Sequence, residues 1–123
     1  MERLARTFRA LADPTRLRIL NLLLTSPGCV CELQAVLDLP QPLISRHLSH
    51  LRNAGLVDDE RDGMRVRYGM RSVSPPTCEL RRFLADTLAR EKRLRLEAKA
   101  WTGFQQSAAV PGEKQAVGLT SAR

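Results

Sequence analysis

Between Leu39 and Val57 the chain carries one short amphipathic helix whose polar face holds no acid. No other stretch limits the possible fold as much. Pro42 suits the first helical position, where a missing N–H costs nothing. Leu43, Ile44, Leu48 and Leu51 recur at helical spacing and give one apolar stripe. Gly55 follows as a helix stop. The other face carries Gln41, Ser45, Arg46, His47, Ser49, His50 and Arg52, with Pro42 at its leading edge. Short polar side chains mixed with Arg and His suit a surface that enters a DNA groove and bonds to bases and phosphates. A solvated surface helix fits the same pattern, so the flanking sequence has to decide.

Upstream, residues 2–11 read as a helix with Leu4, Phe8 and Leu11 inward and Arg3, Arg6 and Arg9 outward. Asp13-Pro14-Thr15 ends it and starts a second helix, with Asp13 as cap and Pro14 at the first position. This second helix runs to about Leu24 and is apolar on more than one face, so it belongs at the centre of the core. Thr25-Ser26-Pro27-Gly28 reads as a turn. A third helix follows over 30–38, with Val30, Leu33 and Leu37 inward. Leu39-Pro40-Gln41 joins it to the helix described first. Two short helices across a tight connection, the second basic on one face, make a helix-turn-helix.

After Gly55 the period changes from helical to alternating. Residues 56–61 and 65–70 are candidate strands, and Asp62-Gly63 between them is a hairpin signal. Arg65, Arg67 and Arg71 alternate with Val66, Tyr68 and Met70, so one face is basic and the other apolar. Such a wing can reach DNA backbone or minor groove. Asp58, Asp59, Glu60 and Asp62 limit the contact to Arg65 and Arg67. An edge hairpin protected by charge is the alternative.

Ser74-Pro75-Pro76-Thr77 marks a further boundary, with Thr77 as cap of a long helix from about Cys78 to Trp101. Its apolar stripe runs through Leu80, Phe83, Leu84, Leu88, Leu94, Ala98 and Trp101. A helix this long, beyond a small core, is most simply buried against a second copy, with the first helix sharing the interface. A homodimer would place two reading helices on the two halves of a palindrome. The expected fold is mainly α with a small β-hairpin: a winged helix-turn-helix domain over 1–104, homodimeric through its N- and C-terminal helices. Residues 105–123 lack periodicity and read as a disordered tail.

The formal net charge is +7, and seventeen of the 20 basic residues are Arg, which favours forked contacts to phosphate and guanine. Arg3, Arg6 and Arg9 interrupt any leader-like apolar stretch, and no run reaches membrane-spanning length. The expected compartment is the cytoplasm, where the three cysteines stay reduced and serve binding, redox chemistry or burial.

Four stretches together resemble the ArsR/SmtB family of arsenic- and metal-responsive winged helix-turn-helix repressors. They are residues 11–20, Cys29-Val30-Cys31-Glu32-Leu33, residues 41–48 and residues 51–57. The resemblance covers roughly residues 3–100. It implies a dimeric repressor that binds a palindromic double-stranded operator when empty and releases it on binding an inducer. The Cys-Val-Cys-acid-Leu form is similar to that of the family's arsenite and antimonite sensors, which makes As(III) or Sb(III) the first choice of inducer. Some such sensors carry a third Cys three residues after the second. Here that residue is Gln34, and the remaining thiol is Cys78. It either completes a three-sulfur site, within one chain or across the dimer, or stands apart. A two-thiol site suits methylarsenite.

In a regular helix, residues two apart point about 200° away from each other, whereas in extended backbone they point the same way. One ion held by both Cys29 and Cys31 therefore predicts an unwound first turn, and the helix N-terminus predicts a lowered thiol pKa. No His lies in the last helix to build the family's zinc site. His47 and His50 are better read as facing DNA. A thiol-redox or persulfide sensor on the same fold, using Cys31 or Cys29 with Cys78, stays open. An enzyme is disfavoured, since no Gly-rich phosphate loop or Ser-His-Asp set accompanies the thiols.

Overall fold

The computed structural model describes residues 1–71 and 75–108, the side chains of 75–77 and 107–108 excepted. Its elements in order are α1 (Glu2–Leu11), α2 (Pro14–Thr25), β1 (Gly28–Cys29), α3 (Val30–Leu37), α4 (Gln41–Asn53), β2 (Val57–Asp62), β3 (Arg65–Met70), α5 (Pro75–Leu88) and α6 (Lys92–Ala108).

Helix α2 is the central element, as its all-round apolar sequence requires. Ile19, Leu20, Leu22 and Leu23 are buried, and they meet Leu33 and Leu37 of α3, Ile44, Leu48 and Leu51 of α4, and Trp101 of α6. Asp13 caps α2 by accepting from the Arg16 amide at 3.0 Å. Helices α3 and α4 are joined by Asp38-Leu39-Pro40, with Asp38 in the left-handed region at φ 56°. That conformation ends α3, and Asp tolerates it better than most residues. The winged helix-turn-helix expectation holds.

The hairpin differs in detail. Its register pairs Asp62 with Arg65, so the turn is Gly63-Met64 rather than Asp62-Gly63. Gly63 takes φ 66° at the first turn position, where a two-residue hairpin needs positive φ and glycine supplies it without a steric cost. A third strand joins the sheet, in the order β1-β3-β2, with Gly28 opposite Tyr68 and Cys29 opposite Arg67. The expected turn at 25–28 is therefore shorter than predicted, and its last residue opens β1.

The expected single helix from Cys78 to Trp101 is two. Helix α5 starts at Pro75, as proline at a first turn allows. It stops at Leu88, where the Arg90 and Glu91 amides bond three residues back to Thr87 and Leu88. Such tightened bonds close a last turn. The break lets α6 fold back along α2. Leu84, Leu88 and Leu94 pack together against Leu17 and Leu24, and the Asn21 side chain donates to the Leu94 carbonyl at 2.7 Å. Trp101 is fully buried and donates through Nε1 to the Ser26 carbonyl at 3.1 Å. Gly28 lies against the indole with no room for a Cβ. Residues 105–108 continue α6, so the start of the expected tail is helical; 109–123 lie outside the described residues, as does Ser74.

Two side chains expected inside lie outside. Leu4 and Phe8 of α1 are 56% and 58% exposed, and it is Ala10 that enters the core. Phe83 and Leu96 are exposed as well. Among the described residues no helix is long and apolar enough to cross a membrane.

Candidate thiol site and nucleic-acid interface

The thiol site is built where β1 becomes α3. Cys29 is the residue before the helix, in extended backbone at φ −98° and ψ 169°, and Cys31 lies within the first turn. The two sulfurs stand 3.0 Å apart. The predicted unwinding is unnecessary, because only one of the pair is helical and the change of backbone between them turns both side chains to the same side. Glu32 completes a capping box, accepting from the Cys29 amide through Oε1 at 3.0 Å. Cys29 is buried and Cys31 exposed, so the pair has one inner and one outer sulfur.

The electrostatics also depart from expectation. Burial, and then the hydrogen bond shared with Cys31, push the Cys29 thiol from 9.0 up to about 11. The helix N-terminus does not win, because desolvation of a thiolate outweighs the few N–H dipoles facing it. Cys29 is a protonated thiol at neutral pH.

Arg67 is the unexpected neighbour. It was expected to face DNA from the wing, but its side chain turns inward. Its Nη2 lies 3.6 Å from Glu32 Oε1, with the two side chains 10% and 13% exposed. Its Nε is buried without a partner among the described residues. The cause is the third strand: β1 pairs with β3, places Cys29 opposite Arg67, and so brings Glu32 at the start of α3 and the Pro27 carbonyl up to the guanidinium. Cys78 is exposed on α5. Among the described residues no group of three His, Cys, Asp or Glu side chains converges, so Cys78 does not join Cys29 and Cys31 within one chain. Two thiolates on one soft ion at about 2.3 Å lie about 3–4 Å apart, so the pair fits such an ion as two of its ligands.

On α4, Gln41, Pro42, Arg46, Ser49 and His50 are exposed and Ser45 is half-buried. His47 is not on this surface. It is 9% exposed, and its Nδ1 takes a hydrogen bond from Arg16 Nη1 at 3.2 Å. A guanidinium only donates, so Nδ1 must accept, and the ring is neutral with its one proton on Nε2. Burial holds the His47 pKa below 6.5, with Arg16 adding to the effect and Asp13 opposing it. Arg16 further donates to the carbonyls of Ala10 at 2.7 Å and Arg9 at 3.1 Å. One side chain thus ties the end of α1 and the start of α2 to α4. On the wing, Arg65 is exposed beside the turn, whereas Arg71 pairs with Asp58 at 2.6 Å and Arg52 with Asp59 at 3.1 Å.

Sequence reasoning passed over Glu32 and Arg16. The first had a local signal, since Cys29-x-x-Glu32 has capping-box spacing. The second had none beyond its place after Asp13-Pro14.

A profile described as bacterial regulatory protein, arsR family, matches residues 13–59. The probable mercury resistance operon repressor of Streptomyces lividans is 40% identical over 93 residues, which cover 76% of this chain and 72% of that protein. The chain belongs to the arsR family. A further member, the arsenic resistance transcriptional regulator ArsR1 of Pseudomonas putida, is 49% identical over 70 residues, covering 55% of this chain and 54% of its own length. The chain thus spans about half the length of the arsenic-type members it matches. The solved structure of HlyU from Vibrio cholerae superposes with a TM-score of 0.61 at 31% identity, covering 72% of this chain and 90% of that one. The Streptomyces and Pseudomonas relatives are named as an operon repressor and a transcriptional regulator.

Proposed function

We propose that this chain is a cytoplasmic repressor that binds a palindromic operator as a homodimer and is released by As(III) or Sb(III) at Cys29 and Cys31. The observation that carries the inducer is the 3.0 Å separation of the two sulfurs at the start of the helix-turn-helix. The arsenic and mercury relatives support a thiophilic inducer. Burial raises the Cys29 thiol pKa, so an inducer binds there with loss of a thiol proton. Arsenous acid exchanges a hydroxyl for each sulfur, and each thiol proton leaves with that hydroxyl as water. Methylarsenite needs only these two sulfurs; a third could come from Cys78 of a second copy.

For the DNA side, Gln41, Pro42, Ser45, Arg46, Ser49 and His50 of α4 are the candidate readers, with Arg65 on the wing. The exposed Leu4, Phe8, Phe83 and Leu96 are the candidate dimer contacts. Fluorescence anisotropy with a duplex from upstream of the chain's own gene tests the whole reading. Arsenite should release the wild type and leave Cys29→Ser and Cys31→Ser bound. Release of both variants would remove the site. Release by polysulfide or peroxide, with no response to arsenite, would replace the inducer.

A further inference from the structure

The basic surface of α1 has no part in the reading so far. Arg6 and Arg9 line an open cleft with Arg16, Ala10 and, from α4, His50 and Asn53. Among the described residues neither Arg6 nor Arg9 makes an ion pair, nor does Arg46. The wing offers less positive charge than its sequence suggests, with Arg67 buried and Arg71 neutralised by Asp58. Arg61 stays exposed on the wing, and further guanidinium groups without an ion pair, Arg6 and Arg9, lie beside α4 on the α1 side.

Helix α1 is also fixed to α4. Thr7 Oγ1 reaches the Ala54 carbonyl at the end of α4 at 3.5 Å, and Arg16 joins the Ala10 and Arg9 carbonyls to His47. The arginines thus keep their place relative to the exposed side chains of α4. At about 100° per residue, Arg6 and Arg9 lie about 150° round α1 from Leu4 and Phe8. A dimer formed through Leu4 and Phe8 leaves the cleft open. His50 and Asn53 are at the C-terminal end of α4, where the helix dipole repels phosphate. Flanking cations offset that repulsion.

We infer that Arg6 and Arg9 form a phosphate-binding extension of the DNA interface, holding the backbone that flanks the groove read by α4. This rests on the DNA-binding reading. It assigns to α1 the sequence-independent contacts that the wing arginines supply only in part.

The test is the salt dependence of binding by the full chain to a fluorescein-labelled duplex of mixed sequence. Each phosphate contact contributes about 0.9 to the slope of log K against log salt. Arg6→Gln and Arg9→Gln should each lower the slope by about one per bound chain, and Arg6→Lys and Arg9→Lys should keep it. An unchanged slope in the double Gln variant overturns the inference and leaves the DNA-binding reading intact. So does a slope that falls only together with loss of assembly in sedimentation. A wild type with no salt-dependent binding to this duplex or to the upstream duplex overturns both.

Discussion

Cys29 and Arg67 stand opposite each other in the β1–β3 ladder, which puts the inner sulfur of the thiol pair on the same sheet as the wing. The same Cys29 opens α3, the first helix of the helix-turn-helix. The thiol site is therefore in direct covalent and hydrogen-bonded contact with both structures that would meet DNA.

Arg67→Ala should destabilise the fold and leave the salt slope of DNA binding unchanged. Removing the guanidinium leaves the Glu32 carboxylate buried without its cation. Breaking a buried pair costs about 3–5 kcal/mol, and the long 3.6 Å contact points to the lower end. Urea unfolding measures the first effect. A variant of native stability with a flatter salt slope would put Arg67 on the DNA surface.

Stability should fall with rising pH between 9.0 and about 11. In that window the unfolded chain loses the Cys29 proton while the folded chain keeps it, so unfolding releases a proton and base favours it. The contribution is fully present below pH 9 and lost as the pH passes the folded value. Cys29→Ser should remove this part of the decline, as read by denaturant unfolding under reducing conditions. At neutral pH, iodoacetamide should label Cys31 and Cys78 before Cys29. Early labelling of Cys29 would contradict its protonated, buried state.

His47 works at the opposite end of the scale. Its folded pKa lies below 6.5, so the unfolded chain takes up the proton first as the pH falls. Its contribution is intact above 6.5 and lost as the pH falls through the folded value. Protonation also removes the acceptor that Arg16 uses. His47→Gln should flatten stability against pH below 6.5, and should cost about 1 kcal/mol at neutral pH if the amide does not restore the bond. A wild-type pH profile in the variant would place the titration elsewhere.

Arg46 tests the reading face itself. It is exposed on α4, on the side away from Ile44 and Leu48. Arg46→Ala should weaken operator binding by about 1–3 kcal/mol and relax preference at one base pair. Equal weakening on operator and mixed-sequence DNA would make it a phosphate contact only.

The parts of the fold that were legible in the sequence are those with local causes. Asp13-Pro14 caps α2, apolar residues on every side make α2 central, and the short link at Leu39-Pro40 sets α4 beside α3. What was not legible depends on remote partners. Nothing at residues 89–91 breaks a helix; the burial of Leu94 and Trp101 against α2 does. Strand β1 is two residues long and exists only because β3 is there to pair with it. His47 and Arg67 sit at positions where alternation or a polar face predicts solvent. Each is drawn inward by a partner, Arg16 or Glu32, that lies far off in the sequence.

Gly28 links these remote effects to the thiol pair. It pairs with Tyr68 in the sheet, and it lies directly beneath the Trp101 ring, which a Cβ would strike. The indole is held from its other end by the Ser26 carbonyl, and the Gln105 amide fixes Pro27 at 2.8 Å, so the ring has little freedom to retreat. Overpacking of this kind costs about 1–3 kcal/mol. Gly28→Ala should therefore lower stability by that amount and, by shifting β1, should weaken arsenite binding measured by thiolate absorbance. Trp101→Phe in the same chain should recover part of both losses, because it removes the part of the ring that the new methyl meets. A Gly28→Ala variant with native stability and native arsenite binding would show that Trp101 does not set the position of Cys29.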